Sequence, residues 1–175
     1  MAAKDYHLII FRVHSTMKPG TTEDNGTTYL FTNEPYDKTK YVSHQLAGQV
    51  MPACLDENNP EFFAVSADYL TKYGEGRFNK SVIIMMGCLS LITPDMAESF
   101  ISQGALFYCG WTGSVKLDYV DDFTLAFLAN LTTDNTTFKQ ACYLTADVKG
   151  PDPTYHTIFS YYPTENEDYS LSSIK

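Results

Sequence analysis

Residues 81–87 read Ser-Val-Ile-Ile-Met-Met-Gly, and this apolar run ends directly before Cys88. A second run, Tyr-His-Leu-Ile-Ile-Phe-Arg-Val over residues 6–13, ends directly before His14. Short continuous apolar runs that are rich in Ile and Val are typical of strands buried in a parallel sheet. Ligands bind beyond the carboxyl ends of such strands. The two runs therefore predict a thiol and an imidazole side by side at one edge of a sheet.

The rest of the chain alternates between strand and helix patterns, which is typical of a layered α/β fold. Thr93-Pro-Asp predicts a helix over residues 93–103, with Thr as the N-cap and Pro in the first position. We expect one domain over residues 1–163, built on a mostly parallel sheet flanked by helices, and a polar, frayed tail over residues 164–175. The other predicted strands are 27–32, 61–66, 105–109 and 155–162, and the other predicted helices are 37–50, 67–73, 117–131 and 137–148.

The composition argues against several classes of protein. The 175 residues are 44% hydrophobic, which is enough for a core, and they carry a net charge of −9 with no cluster of Lys or Arg. This charge argues against nucleic acid as a partner. No stretch approaches the roughly 20 apolar residues that span a bilayer, and the first residues lack a signal-peptide pattern. We therefore expect no membrane segment, a cytoplasmic location by default, and no glycosylation of the four Asn-x-Ser/Thr tripeptides.

The four cysteines are widely spaced and form no Cys-x-x-Cys pair. This spacing argues against a zinc site and against a disulfide scaffold. Cys54, Cys109 and Cys142 are best interpreted as packed thiols. The acidic residues Asp118, Asp121 and Asp122 lie at the start of a predicted helix, where they favour its dipole more simply than they form a metal cluster. We expect no metal and no cofactor.

The pair His14 and Cys88 predicts nucleophilic chemistry. A free thiol is only a few per cent thiolate at neutral pH, so it needs a neighbouring base to attack a carbonyl group. His14 would take the proton, and the N–H groups of Cys88 and Ser15 would receive the developing oxyanion. Taken singly, a cysteine after an apolar run is more often a core residue, and a histidine at a strand end more often a surface residue. Their matching positions make the functional interpretation about as favourable as the structural one.

Residues 82–114 resemble the second half of caspase-like cysteine peptidases. The resemblance rests on the strand that ends at Cys88, the helix over 93–103, and the segment Gly-Ala-Leu-Phe-Tyr-Cys-Gly-Trp-Thr-Gly-Ser over 104–114. The group includes gingipains, metacaspases, legumain and separase, in which one apolar strand ends in His-Gly and a later one ends in Cys. The closest likeness is to archaeal and bacterial members with a Gly-Trp-x-Gly loop, and it extends over roughly residues 5–163.

The resemblance implies a three-layer caspase-like fold and the hydrolysis of peptide bonds through a thioester. By the resemblance, Cys88 is the nucleophile and His14 is the general base and acid. The backbone N–H groups of Ser15 and Cys88 would hold the oxyanion. The wall of the substrate pocket would be formed by Trp111, Thr112 and Gly113.

Two departures from the family pattern leave alternatives open. Ser15 follows His14 where the family usually has Gly, and the family's first two strands have no counterpart, as in an N-terminally truncated domain. Their loss would expose one edge of the strand at 6–13, so we expect a partner chain or a preceding segment to cover it. The alternatives to a peptidase are a catalytically silent caspase-like module, which binds peptides or assembles with partners, and another thiol hydrolase such as an amidase.

Overall fold

In the computed structural model, which describes residues 6–20, 26–56 and 58–174, the chain forms two sheets and five α-helices. The strands are β1 (Leu8–Phe11), β2 (Ser15–Met17), β3 (Thr28–Pro35), β4 (Val50–Ala53), β5 (Phe62–Ser66), β6 (Val82–Met85), β7 (Phe107–Trp111) and β8 (Phe159–Tyr162). The α-helices are α1 (Val42–Leu46), α2 (Ala67–Tyr73), α3 (Asp95–Ser102), α4 (Leu117–Leu131) and α5 (Phe138–Lys149).

The first sheet has the strand order β1-β6-β7-β8 and is mostly parallel. β1 pairs with β6 in parallel, and so does β6 with β7, whereas β8 runs antiparallel at the far edge. The predicted α/β class and the mostly parallel sheet are therefore confirmed. Because β1 and β6 are parallel neighbours, their carboxyl ends meet at one edge of the sheet.

Helices cover both faces of this sheet, so that helix, sheet and helix form three layers. Val82 and Ile84 of β6 face α4 and α5, while Ile83 and Met85 face α3. All four side chains are fully buried. Successive strand residues point to opposite faces, so burial on both faces requires an unbroken apolar run. This requirement explains why β6 has no alternation of polar and apolar residues.

The second sheet, in the order β2-β3-β5-β4, is antiparallel throughout and was not predicted. The helix predicted over 37–50 is wrong in extent, since α1 is short and Val50 begins a strand that pairs with Val65. Val42, Leu46 and Val50 have the four-residue spacing that is typical of a helix face, but Leu46 is 85% exposed. Pairing of Val50 with a strand far along the sequence overrode this local pattern.

The end of the chain also differs from its prediction, because residues 164–174 are ordered against the core. Leu171 and Ile174 pack on the apolar cluster under α4 and α5. The N–H groups of Phe138 and Lys139, at the start of α5, donate to the carbonyl groups of Tyr169 and Glu167. Backbone carbonyl groups of the polar tail thus satisfy the open end of a helix, so the tail is not frayed.

β1 lies at an edge of its sheet, with no further strand beside it among the described residues. Its Ile10 side chain is 42% exposed. The predicted covering partner or segment stays a prediction. Within residues 6–20, 26–56 and 58–174, none of the helices is both long enough and apolar enough to cross a membrane.

Candidate active site

His14 and Cys88 lie at the carboxyl ends of β1 and β6. Phe11 and Met85 are the last paired residues of the two strands, and each reactive residue lies three positions further on. Both residues line one small cleft of about 40 Å³. Its other lining residues are Arg12, Val13, Met86, Gly87, Val115 and Leu117. The structure thus brings together the two residues that the sequence singled out.

Gly87 lets the two chain segments come this close. A Cβ atom at this position would overlap Ser15 Oγ and would lie 2.7 Å from the carbonyl oxygen of Val13. The segment that carries His14 therefore passes directly over the residue before Cys88. Only glycine leaves room for that approach.

The peptide bond after Cys88 is held at both of its polar groups. The Ser15 hydroxyl donates a hydrogen bond to the Cys88 carbonyl oxygen. On the other side, the N–H of Leu89 donates to the carbonyl oxygen of Gly113 over 2.8 Å. Leu89 has a φ of 56°, in the left-handed region that residues with a side chain seldom adopt. These two bonds fix the turn that follows the reactive residue.

The Cys88 thiol is half-buried and contacts the backbone of Val115. The Val115 N–H points at the sulfur over 3.4 Å, and the thiol donates to the Val115 carbonyl oxygen over 3.5 Å. An N–H donor stabilises the thiolate, whereas a carbonyl acceptor stabilises the thiol. The arrangement therefore holds the protonated sulfur in place and offers a donor to the ionised one.

His14 is exposed, and its ring lies edge-on to the Phe31 ring, with the centroids 5.9 Å apart. In the described part of the chain, its ring nitrogens form no hydrogen bond to protein, and none joins them to the Cys88 sulfur. Contact between base and nucleophile thus requires the thiol to turn away from Val115. Catalytic hydrogen bonds are often long in a free enzyme and tighten when substrate binds.

Two backbone N–H groups beside the thiol are available as donors. For Cys88, no acceptor of its N–H occurs among the described residues. For Ser15, the direction of the N–H follows from the antiparallel pairing of β2 with β3. The His14 carbonyl accepts from the Phe31 N–H, and the Lys18 N–H donates to the Thr27 carbonyl. Along an antiparallel ladder, hydrogen-bonded pairs alternate with pairs that have no hydrogen bonds. Ser15, which lies opposite Leu30, therefore belongs to a pair without hydrogen bonds. Its N–H points away from β3, as an oxyanion donor would need.

The Gly-Trp-Thr-Gly segment does not line the cleft, contrary to the sequence prediction. Trp111 is fully buried in the core and packs against Phe123 of α4. Thr112 pairs through its hydroxyl with Ile158, and Gly113 lies against Thr157. The reason is that Trp111 ends strand β7, where its apolar ring is covered by α4. Trp111 is therefore a core residue in this structure.

Val115 and Leu117 line the cleft instead, and the sequence analysis missed them. They follow the predicted pocket segment by two to four residues. No local pattern marks them, because only the turn between β7 and α4 brings them back to Cys88. This is a property of the tertiary structure alone.

The charged groups next to the cleft form an ion pair. Arg12 donates to both carboxylate oxygens of Asp121 over 2.9 and 2.8 Å. Hydrogen bonding to Arg12 lowers the pKa of the Asp121 carboxyl group. The pair is largely exposed, and it connects the end of β1 to α4. Asp122 pairs with Lys149, whereas Asp118 accepts the N–H of Tyr119. The described residues hold no cluster that could bind a metal.

The start of α3 is bonded to Thr28 of β3. α3 begins at Asp95, whose carboxylate accepts the N–H of Thr28 over 2.8 Å and the hydroxyl of Thr93 over 2.6 Å. Thr93 thus bonds to Asp95 and is not the N-cap. No residue of α3 lines the cleft.

Comparison with known proteins finds no match. No protein family, no curated protein and no solved structure matches the chain. The site therefore has to be judged by its own geometry.

The other cysteines and histidines lie outside the cleft. Burial raises the pKa of the Cys109 thiol well above its ordinary value and that of the Cys142 thiol to about 12, so neither is a nucleophile at neutral pH. Cys54 is exposed. His44 is hydrogen-bonded to Gln49. Of the described cysteines and histidines, Cys88 and His14 are the two that line the cleft.

Proposed function

We propose that this chain is a caspase-like cysteine peptidase that hydrolyses peptide bonds with Cys88 as nucleophile and His14 as general base and acid. One observation carries the proposal: His14 and Cys88 line the same cleft at the carboxyl ends of two adjacent parallel strands. This is the position at which open α/β sheets bind their ligands. The resemblance to that group over residues 82–114 points to Cys88, and its extension over roughly residues 5–163 points to His14.

The chemistry has two stages. His14 takes the thiol proton, and the Cys88 thiolate adds to the scissile carbonyl carbon. The tetrahedral oxyanion collapses, the C–N bond breaks, and His14 returns the proton to the leaving amine, which leaves a thioester on Cys88. Water, deprotonated by His14, then attacks the thioester and releases the carboxylate and the thiol.

Two features of the backbone support these roles. Among residues 6–20, 26–56 and 58–174, the strand ladders offer no acceptor to the N–H groups of Cys88 and Ser15, so these groups can donate to the oxyanion, which stabilises the transition state. The Val115 N–H, 3.4 Å from the sulfur, is placed to stabilise the thiolate.

Labelling with peptidyl acyloxymethyl ketones tests the proposal. We expect the wild-type protein to be labelled on Cys88, Cys88→Ala to lose the label, and His14→Ala to react at least about 100-fold more slowly, in line with the usual contribution of a general base. Cys54→Ala, which removes an exposed thiol outside the cleft, is the matched control and keeps the wild-type rate. A set of reagents with basic, acidic and apolar side chains covers the unknown specificity. Labelling that persists in Cys88→Ala would rule out the proposed nucleophile.

A second candidate function is a silent caspase-like module that binds peptides or assembles with partners. The observation in its favour is the resting thiol, which is bonded to Val115 and not to His14, in a cleft of only about 40 Å³. The open edge of β1 would then serve assembly by strand pairing. Binding of a reversible peptide aldehyde that is unchanged in Cys88→Ala would favour this candidate, because a peptidase forms a thiohemiacetal through Cys88.

A further inference from the structure

We infer that the Ser15 hydroxyl is a positioning group that holds the His14 segment and the peptide bond after Cys88 in register. The inference rests on the proposed function, since it concerns how the same two residues are aligned. Ser15 is where the chain departs from the family pattern. In the structure, its side chain donates a hydrogen bond to the Cys88 carbonyl oxygen, which a glycine could not do.

The first step is the location of the hydroxyl. Ser15 is 8% exposed, and its hydroxyl donates to the Cys88 carbonyl oxygen. A buried hydroxyl that is hydrogen-bonded to a carbonyl group has a fixed direction. This bond connects the residue after the proposed base with the proposed nucleophile itself. It is therefore a direct link between the two halves of the site.

The second step is the orientation of the Cys88 peptide. With its carbonyl held by Ser15 and the next N–H held by Gly113 over 2.8 Å, the peptide plane between Cys88 and Leu89 cannot rotate freely. This plane sets the direction in which the Cys88 main chain leaves β6.

The third step is the agreement between Ser15 and Gly87. The hydroxyl occupies the space that a Cβ on residue 87 would fill. A serine at 15 thus requires a glycine at 87, and the glycine admits the hydroxyl to the carbonyl beyond it. Loss of the hydroxyl removes the only side-chain bond that the described residues place between the His14 segment and Cys88.

The test measures how fast iodoacetamide alkylates Cys88, followed by peptide mass spectrometry on the intact 175-residue chain. Exposed Cys54 is the internal reference. The variants are Ser15→Ala, His14→Ala, the double variant, and Ser15→Thr, which keeps a hydroxyl. Ser81→Ala is the matched control, since the Ser81 hydroxyl donates to the Tyr6 carbonyl over 2.6 Å and joins the same two strands at their opposite ends.

We expect Ser15→Ala to slow the alkylation of Cys88 about tenfold, because small misplacements of a base reduce rates steeply. Ser81→Ala and Ser15→Thr keep rates within about threefold of the wild type. The double variant reacts as slowly as His14→Ala alone, since Ser15 acts through the alignment of His14. A purely structural role would instead lower the rate equally in both backgrounds.

Three results would overturn the inference. If His14→Ala slows alkylation but a folded Ser15→Ala does not, the His14–Cys88 pair stands and the positioning role fails. If Ser15→Ala does not fold, the test uses Ser15→Thr instead. A folded Ser15→Thr whose Cys88 is alkylated as slowly as in His14→Ala overturns the positioning role. If His14→Ala reacts like the wild type, the pair itself fails, and the positioning role fails with it.

Discussion

Gly87 and Ser15 are two small residues on which the spacing of the reactive pair depends. Neither is reactive, but the absent Cβ of Gly87 leaves the space in which the Ser15 hydroxyl reaches the Cys88 carbonyl. In a close-packed interior, one added methyl group has to displace its neighbours. At this position the neighbours include backbone as well as a side chain, so the displacement would move the His14 segment.

We predict that Gly87→Ala lowers the unfolding free energy by about 1–3 kcal/mol, the usual range for overpacking. Labelling of Cys88 should slow by about 100-fold, because the base is pushed away. Chemical denaturation and labelling kinetics measure the two effects. Gly74→Ala is the control, since its Cβ would lie 2.6 Å from the Gln103 side chain and neither residue lines the cleft. Labelling as fast as wild type in a folded Gly87→Ala would contradict the prediction.

At the scale of elements, the connection between β7 and α4 carries Val115 to the thiol. Asp152, which is fully buried, holds this connection from the loop after α5. One of its carboxylate oxygens accepts the N–H of Lys116 over 3.0 Å, and the other accepts the N–H groups of Thr154 and Tyr155. The Thr157 hydroxyl adds a bond to the Ser114 carbonyl over 2.6 Å. The donor that faces the Cys88 sulfur is therefore supported by a second loop.

We predict that the Asp152 carboxylate makes stability depend on pH. Burial by itself would raise the pKa of Asp152, but the N–H groups of Lys116, Tyr155 and Thr154 more than offset it, so the pKa is lowered in the folded state. A lowered pKa means that the stabilisation is complete above about pH 5 and is lost as the pH falls below about 4. Denaturation curves from pH 7 to pH 3 should show this loss.

In Asp152→Asn, part of that loss should be absent, because the amide does not titrate. Asp147→Asn, on the exposed side of α5, is the matched control and should keep the wild-type dependence on pH. An unchanged dependence in Asp152→Asn would show that other carboxyl groups are responsible.

At the scale of the whole molecule, the site depends on a sheet that is covered on both faces. α4 and α5 bury one face, and α3 buries the other together with Leu30 of the second sheet. Residues 14 and 88 are separated by 74 positions (88 − 14) in the sequence. Only the complete three-layer structure brings them together, so the cleft should be lost whenever the core is.

We predict that Phe127→Ala lowers the unfolding free energy by about 3–5 kcal/mol, the usual range for truncating a buried aromatic residue. Phe127 is fully buried on α4 and contacts the Phe159 ring with the centroids 5.1 Å apart. Leu125→Ala, on the same helix but 68% exposed, should stay within about 0.5 kcal/mol of the wild type. Urea denaturation measures both. A loss below about 1 kcal/mol in Phe127→Ala would mean that this face of the sheet is not the main core.

Predictions from the sequence agreed with the structure where a pattern is local. The predicted helices over 117–131 and 137–148 are confirmed as α4 and α5, and Thr137 and Gln140 form a complete capping box at the start of α5. The predictions from the sequence were wrong where a segment pairs or packs with residues far away in the sequence. Strand β4 begins at Val50, within the range predicted as a helix, and Trp111, predicted to line a pocket, is buried in the core. In the same way, the polar end of the chain is ordered because its carbonyl groups accept from the N–H groups of Phe138 and Lys139 at the start of α5.

The sequence by itself determined that β1 and β6 are strands and that each leads to a side chain of reactive type. Continuous apolar runs are typical of strands covered on both faces, and this cover is complete for β6 but not for β1, which lies at the sheet edge. The tertiary structure decided which groups surround that pair. Hydrogen bonds between distant segments join Cys88 to Ser15 and Val115, and join Asp152 to Lys116. No local periodicity of the sequence predicts such contacts. The position of His14 and Cys88 at two strand ends could thus be predicted, whereas the groups that contact their segments are visible only after folding.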